Sequence, residues 1–388
     1  MSADRTLLET DYAVIGLGAM GASTLYSLAR AGGKVVGIDA HSPPHSHGAS
    51  HGGYKVTREA VAEGPAYLHF VRRTNEMLDD LEGRYGASLR GRTGLLIIGS
   101  QAEAGSSSFL CDTVEIAETN HIEHQVLSSG DLRKRYPQLV GLADHDAGYF
   151  EPNAGFIRPE PLSKLQIALA RQAGAEVLQN TAVYGITPIP GGVEIDADGV
   201  RVRARRIAVA AGRWAGQLLG GRFGDLLSVS RQRTFTFKAL DTAAYQPARF
   251  PTLMWFRRRV GDECATVFPL EGSGGGVKFF VADTEADPEI GLSSDRFFRR
   301  HVEPFFDGIS AELRASEICF YTSTPDHGFL LDWHPDIADV FVVSACSGHG
   351  FKHALGVGEA VASVLTGRAA PDLSAFSLER FSAGSPRN

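Results

Sequence analysis

Residues 11–39 constrain this chain more than any other stretch of it. Asp11-Tyr12-Ala13-Val14-Ile15 is a short apolar run with the composition of a buried strand. It passes directly into Gly16-Leu17-Gly18-Ala19-Met20-Gly21, after which Ala22 to Ala31 reads as a helix. A second apolar run, Lys34-Val35-Val36-Gly37-Ile38, ends on Asp39. Strand, glycine turn, helix, strand and acid in that order make the dinucleotide-binding βαβ unit. In such a unit Gly16 permits the tight turn, Gly18 admits a pyrophosphate to the backbone, and Gly21 lets helix and strand pack closely. The helix N-terminus offers unpaired N–H groups and a partial positive charge to phosphates. Asp39 is placed to accept hydrogen bonds from ribose hydroxyls.

A chain of 388 residues exceeds the usual size of a single core, so two domains are expected. The composition, 43% apolar and 21% charged, is that of a soluble globular protein. A net charge of −7 with scattered Lys and Arg leaves no basic footprint for nucleic acid. No apolar run approaches the ~20 residues that span a bilayer. No signal-peptide core precedes the first strand, which reads as cytoplasmic. Cys111, Cys264, Cys319 and Cys346 are widely spaced, match no zinc pattern, and are not expected to form disulfides in a reducing compartment.

A Pro-, His- and Gly-rich loop follows the first unit, from Ser42-Pro43-Pro44-His45 through His47 and His51-Gly52-Gly53. Its histidines invite a metal reading, yet no carboxylate is spaced to complete a site; the position suits a loop that wraps a cofactor. Lys55 and Arg58 are three residues apart, close enough to face one pocket if helical, although spacing alone favours a solvated face. Pro65 to Tyr85 reads as an amphipathic helix with Leu68, Val71, Met77 and Leu81 inward. Helices are also expected at 107–118, 128–136, 159–173 and 353–365. Val183 to Val202 has the alternation of a meander around a Pro-Gly-Gly turn. Ile207-Ala208-Val209-Ala210-Ala211-Gly212 reads as a buried strand whose small terminal residues let a cofactor lie close. From Gly221 to Glu317 the pattern changes to many short strands with one helix near Ser294 to Phe305, as for a sheet in a different domain. Strand, glycine turn and helix then recur at Asp339–Ala345 and Ser347-Gly348-His349-Gly350-Phe351-Lys352, so one nucleotide domain is assembled from separated segments.

These residues resemble the monomeric sarcosine oxidase and N-methyltryptophan oxidase family of flavoproteins, within the D-amino-acid-oxidase-like superfamily. The resemblance covers nearly the whole chain. Its most specific pieces are Cys319-Phe320-Tyr321-Thr322 with Thr324-Pro325-Asp326, and Ser347 to Lys352; Glu63-Gly64 and Glu151-Pro152-Asn153-Ala154-Gly155 also match. It implies an α/β (α+β) fold, with a Rossmann-like FAD-binding domain at 1–85, 151–220 and 331–388. A substrate domain on a mostly antiparallel sheet would occupy 86–150 and 221–330. It implies FAD contacts at Gly16, Gly18, Ala19, Met20, Gly21, Asp39, His51, Gly52, Val183, Gly212, Gly348, His349, Gly350, Phe351 and Lys352, with Cys319 as a covalent attachment point. Arg58 and Lys352 match the pair that holds the substrate carboxylate. Lys278 matches a lysine beside flavin N5 that assists oxygen reduction, and Lys55 and Tyr321 fall at further active-site positions.

The chemistry implied is oxidation of a secondary amine on an amino acid, with hydride passing to the flavin, the imine hydrolysing, and O2 becoming H2O2. The resemblance further implies a monomer acting on a small amino-acid-like amine. Three departures enlarge the implied pocket: Lys55 replaces an arginine, Ala282 a histidine, and Ala265 or Thr266 a tyrosine. They argue against sarcosine itself. The lysine at 55 also resembles the fructosyl-amino-acid oxidases (amadoriases). A flavin dehydrogenase with another acceptor, and a flavin-binding protein without turnover, stay open.

Overall fold

Two sheets divide most of the molecule, and a third, three-stranded one carries Lys55 and leads directly into Arg58. The computed structural model describes residues 6–100, 108–257, 263–270, 275–281 and 293–382. The first sheet has a parallel centre in the order Glu176–Leu178, Val35–Ile38, Thr6–Ile15, Val200–Val209, Val340–Ser344. Val35–Ile38 and Val340–Ser344 are buried at every residue, as strands covered on both faces must be. Val200–Val209 also pairs with the antiparallel hairpin Val183–Ile189 and Gly192–Ala197, the expected meander. Leu330–Trp333 closes the other edge.

Three helices cover one face of this sheet: Ala19–Arg30, Pro159–Gln172 and Ala354–Thr366, with Leu68–Tyr85 packed on the last. The late helix reaches the early one through a glycine. A Cβ at Gly358 would lie 2.4 Å from the Cβ of Ser23, so only glycine allows the approach. Helix packing thus ties the two glycine-turn units together.

The second sheet runs Ile309–Ser323, Ser228–Ala239, Gly276–Val281, Glu263–Phe268, Thr252–Arg257, Leu95–Ser100, Asp146–Glu151, Gln125–Leu127. Every pairing is antiparallel except Leu95–Ser100 with Thr252–Arg257. Its covered face is aromatic, with Phe235, Phe237, Trp255 and Phe279 buried against Phe297, Phe305 and Phe306. The third sheet pairs Lys55–Thr57 and Arg90–Gly91 with Gly155–Ile157.

Most expected elements form within a residue or two. The differences follow from tertiary contacts. Residues 55–57 are a strand, because Gly155–Ile157 supplies its hydrogen-bond partners. The helix expected near 294–305 is one α-helical turn, Ser294–Phe297, followed by a π-helical segment, Phe298–Val302, fitted to Phe235 and Phe237. The strand at 317–322 extends to Ile309–Ser323, paired along its length with Ser228–Ala239. Asp146–Glu151 is a strand that the sequence pattern does not announce. Among the described residues, no helix is long and apolar enough to cross a membrane.

Candidate active site

The C-terminal ends of the parallel strands open on a cavity of about 610 Å³. Gly16, Gly18, Ala19, Met20 and Asp39 line one part of it, Val183 and Gly212 another, and Gly348, Gly350 and Phe351 a third. Gly21 lines no wall; a Cβ there would lie 1.7 Å from the Gly16 carbonyl oxygen, so its glycine serves helix–strand packing. Gly350 repeats this arrangement at the second turn, 1.8 Å from the Ala345 oxygen. Ser50, from the Pro- and His-rich loop, accepts from the Ala19 N–H at 2.8 Å over the start of the first helix. Asp39 is buried and accepts from Leu17 N–H at 2.7 Å and His41 N–H at 2.8 Å, with His45 Nε2 at 3.3 Å. Burial works to raise its carboxyl, but these donors outweigh it and the pKa is lowered. Pro43-Pro44 is cis, and His41 stacks on His47 at 4.0 Å. Among the described residues no cluster of His, Cys, Asp or Glu is placed to hold a metal.

A second cavity of about 270 Å³ adjoins the first; Lys55, Tyr321, Gly348 and Phe351 stand in the walls of both. His51, Gly52, Arg58, Lys278, Cys319, His349 and Lys352 line the second. The solvated-face reading of Lys55 and Arg58 therefore fails. Arg58 is 3% exposed, because the strand Lys55–Thr57 leads it into the wall of the second cavity rather than to the surface.

Arg58 and Lys352 meet on Glu63. The Arg58 guanidinium donates to both Glu63 oxygens at 2.8 Å, and Lys352 Nζ donates to Oε1 at 2.9 Å. Lys352 also donates to the His349 carbonyl at 2.9 Å, and Arg58 Nε to the Ala60 carbonyl at 3.0 Å. Burial alone would raise the Glu63 carboxyl; the two cations hold it well below the usual range. Lys352 is pushed down to about 8 by burial and by Arg58, which together outweigh the attraction of Glu63. His349 is brought to about 4 by burial and by the Lys352 charge. Two cations against one carboxylate leave one positive charge facing the cavity. The loop that carries Arg58 and Glu63 is held by Glu151, which accepts from Glu59 N–H at 2.6 Å, Ala60 N–H at 3.2 Å and Tyr149 hydroxyl at 2.9 Å.

Lys278, 6% exposed, donates to the Gly52 carbonyl and to Glu317 Oε2 at 2.6 Å. Glu160 accepts from Gly52 N–H at 2.7 Å, so the Gly52 turn is gripped from both sides. Lys55 points between the two cavities with no hydrogen-bond partner among the described residues, and burial and Lys278 lower its pKa. Cys319 is buried; burial raises its thiol while Lys55 and Lys278 oppose the rise. Burial also raises the Tyr321 phenol well above its usual value. Phe109, Met254, Cys264, Phe268 and Phe280 give the cavity an apolar and sulfur-bearing stretch of wall, which Tyr54, Thr234 and Thr266 interrupt. Of the two tyrosine-replacement candidates, Thr266 lines the cavity and Ala265 does not. Ala282 lies outside the described residues.

Glu63 and Glu151 were visible in the sequence only as parts of motifs, without a role. Glu160, Glu317 and Ser50 gave no signal, since each acts on a partner distant in sequence.

A dinucleotide cleft joined to a small cationic pocket is the arrangement of a flavin-dependent oxidoreductase. Residues 11–364 match the FAD dependent oxidoreductase family, and the chain belongs to it. Monomeric sarcosine oxidase of Bacillus sp. (strain B-0618) is 31% identical over 381 residues, which covers 95% of this chain and 96% of that protein. N-methyl-L-tryptophan oxidase of Yersinia pestis (strain Pestoides F) is 30% identical over 386 residues, 96% of this chain and 100% of that protein. Among solved structures, the open form of NikD, an unusual amino acid oxidase essential for nikkomycin biosynthesis, is similar in fold. Its TM-score is 0.79 at 19% identity, with 95% and 97% of the two chains covered.

Proposed function

We propose that the chain is an FAD-dependent oxidase of a secondary amine carried by an amino acid. The observation that carries this is the Arg58–Glu63–Lys352 cluster, which presents one uncancelled buried positive charge to a pocket contiguous with the dinucleotide cleft. A carboxylate is the natural ligand of such a charge, and a guanidinium binds it in a fixed orientation.

FAD, when bound, accepts hydride from the carbon next to nitrogen and passes electrons on to oxygen. The residues present fit it. The Gly16–Gly21 turn and the helix starting at Ala19 would hold the pyrophosphate, Asp39 the ribose, and Gly348 to Phe351 the ring end, by the placements described. The segments 1–85, 151–220 and 331–388 would then form the cofactor domain, and 86–150 with 221–330 the substrate domain. Arg58 and Lys352 would fix the substrate carboxylate, and so the reacting carbon; orientation of this kind supplies a large share of rate enhancement. Lys278 would place its ammonium where oxygen reacts. The apolar wall of Phe109, Met254 and Phe268 would exclude water and receive the substrate's side chain or N-substituent.

We assign covalent attachment to Cys319, which faces the second cavity beside Tyr321. Acid-precipitated protein should stay yellow, and Cys319→Ala should release all its flavin; release from the unmodified protein refutes the assignment. The activity itself is tested by mixing the protein anaerobically with N-alkyl amino acids, cyclic amino acids, fructosyl amino acids and their decarboxylated analogues while following flavin absorbance. Bleaching by the carboxylate-bearing secondary amines alone, with peroxide formed on admitting air, is the expected result. Equal bleaching by the decarboxylated amines would refute the carboxylate clamp.

A further inference from the structure

We propose that Glu317 sets how fast this enzyme reacts with dioxygen: as the counterion of Lys278 it cancels that ammonium's charge and holds the oxygen reaction below what Lys278 alone would support. The inference rests on the amine-oxidase reading above.

The geometry of the pair is specific. Lys278 and Glu317 are not on neighbouring strands. The strand Ser228–Ala239 runs between theirs, with Thr236 in register with Lys278 and Thr234 in register with Glu317. The two side chains reach over this strand on the side facing the second cavity, which Thr234 also lines. They close an ion pair of 2.6 Å. Lys278 spends a further hydrogen bond on the Gly52 carbonyl, so its position is fixed from two directions. The Lys278 side chain is 7% exposed and that of Glu317 43%. Glu317 thus stands on the solvent side of the pair and Lys278 on its buried side.

The charge ratio differs from that at the clamp. There two cations share one carboxylate in direct contact; here one carboxylate is in direct contact with one lysine and that pair is neutral, with Lys55 and His51 acting on Glu317 from further off. Burial works to raise the Glu317 carboxyl, but the bond from Lys278 outweighs it, so the acid is held ionised. In the acceptor step dioxygen takes up two electrons and two protons from the reduced cofactor and leaves as hydrogen peroxide. Its first electron makes it an anion. An uncompensated ammonium at the reacting edge stabilises that charge, and a paired one does so less.

The test uses the holoenzyme, reduced anaerobically by amine or by dithionite and then mixed with air-saturated buffer. Glu317→Gln should reoxidise roughly tenfold or more faster than the unmodified enzyme. Flavin reduction by amine should change by less than reoxidation, and the midpoint potential of the bound flavin should move positive. Glu317→Asp, which keeps the charge but withdraws it from Lys278, should fall between the two. The double variant Lys278→Met/Glu317→Gln should keep only a small part of the gain in reoxidation seen in Glu317→Gln alone, since Lys278 is the group Glu317 contacts directly. Unchanged or slower reoxidation in both Glu317 variants, with the flavin spectrum intact, overturns the inference, as does a gain in reoxidation rate that survives in full in the Lys278→Met background. Poor flavin loading of Glu317→Gln leaves the decision to Glu317→Asp. Failure of any amine to bleach the flavin refutes the amine-oxidase reading instead, and dithionite reduction still measures the effect of Glu317.

Discussion

The two charged clusters in the second cavity use the same residue types to opposite ends. At the clamp, Arg58 and Lys352 are 3% and 2% exposed and share the single carboxylate of Glu63. At the other cluster, Lys278 makes the one direct ion pair to Glu317 among the described residues, Lys55 and His51 act on it from further off, and that carboxylate is partly in solvent. A buried charge left uncancelled is costly, so the surplus positive charge of the first cluster would be relieved by an anion, as the proposed carboxylate clamp requires. In the second, the ion pair of Lys278 and Glu317 is neutral as it stands. The number of carboxylates in direct contact with the cations, rather than the number of cations, is what would separate a place that binds an anion from one that does not.

Removing a clamp cation is the largest expected disturbance. Losing one partner of a desolvated charge pair costs roughly 2–5 kcal/mol. Arg58→Ala should therefore lower kcat/KM for the amino acid about 30- to several-thousand-fold. A decarboxylated analogue, already poor, should lose little more. Equal losses for both compounds would mean that Arg58 holds the fold of the pocket and not the ligand.

Lys278→Met should slow reoxidation by oxygen roughly a hundredfold, on the scale of removing one group aimed at developing charge, and slow reduction by substrate far less. Stopped-flow absorbance separates the two half-reactions. A similar loss in both would place Lys278 with the clamp and erase the contrast between the clusters.

The clamp should also show itself in pH dependence. The Lys352 proton is bound below about 8, well under the usual lysine value, so it is lost as pH rises through that point. The cluster then passes from one net positive charge to none, and KM for the amino acid should rise by up to about tenfold per pH unit above it. Lys352→Gln should abolish this limb, while a decarboxylated amine should lack it from the start. A limb that persists in Lys352→Gln belongs to another group.

The smallest effect is expected from Glu151, which touches neither cluster's cations directly but fixes the Glu59–Ala60 backbone between Arg58 and Glu63. Glu151→Gln should cost about 1–3 kcal/mol of stability, read as a lowered melting temperature, because a buried acceptor set is only half replaced. KM should rise by a few fold with kcat nearly kept. A fall in kcat alone would show that the loop moves during turnover.

The nucleotide unit was legible because its information is local. Gly16 to Gly21 and Asp39 lie within one continuous stretch, and the chemistry of each glycine follows from a turn or a close packing contact. The second turn at Gly348–Gly350 was legible for the same reason. The clamp was legible only by resemblance. From spacing alone Lys55 and Arg58 looked solvated, since nothing in residues 54–58 announces the strand Gly155–Ile157 that pairs with them. Glu317 was read simply as the start of a strand. Its partner Lys278 lies on a strand two places away in the sheet, and register across an intervening strand leaves no mark in either sequence segment. Polar pairs assembled by topology are the part of a site that periodicity does not carry.

Arg58 and Glu63 are five residues apart, whereas Lys352 joins them from 289 residues beyond Glu63. The first two residues come from one short loop, and their pair is neutral. The surplus positive charge comes from the far end of the chain, where the strand Val340–Ser344 lies beside Val200–Val209 and the turn after it sets Lys352 on Glu63. The charge of the pocket thus depends on the closing strand of the first sheet: a chain cut short before it would keep Arg58 and Glu63 and lack the surplus.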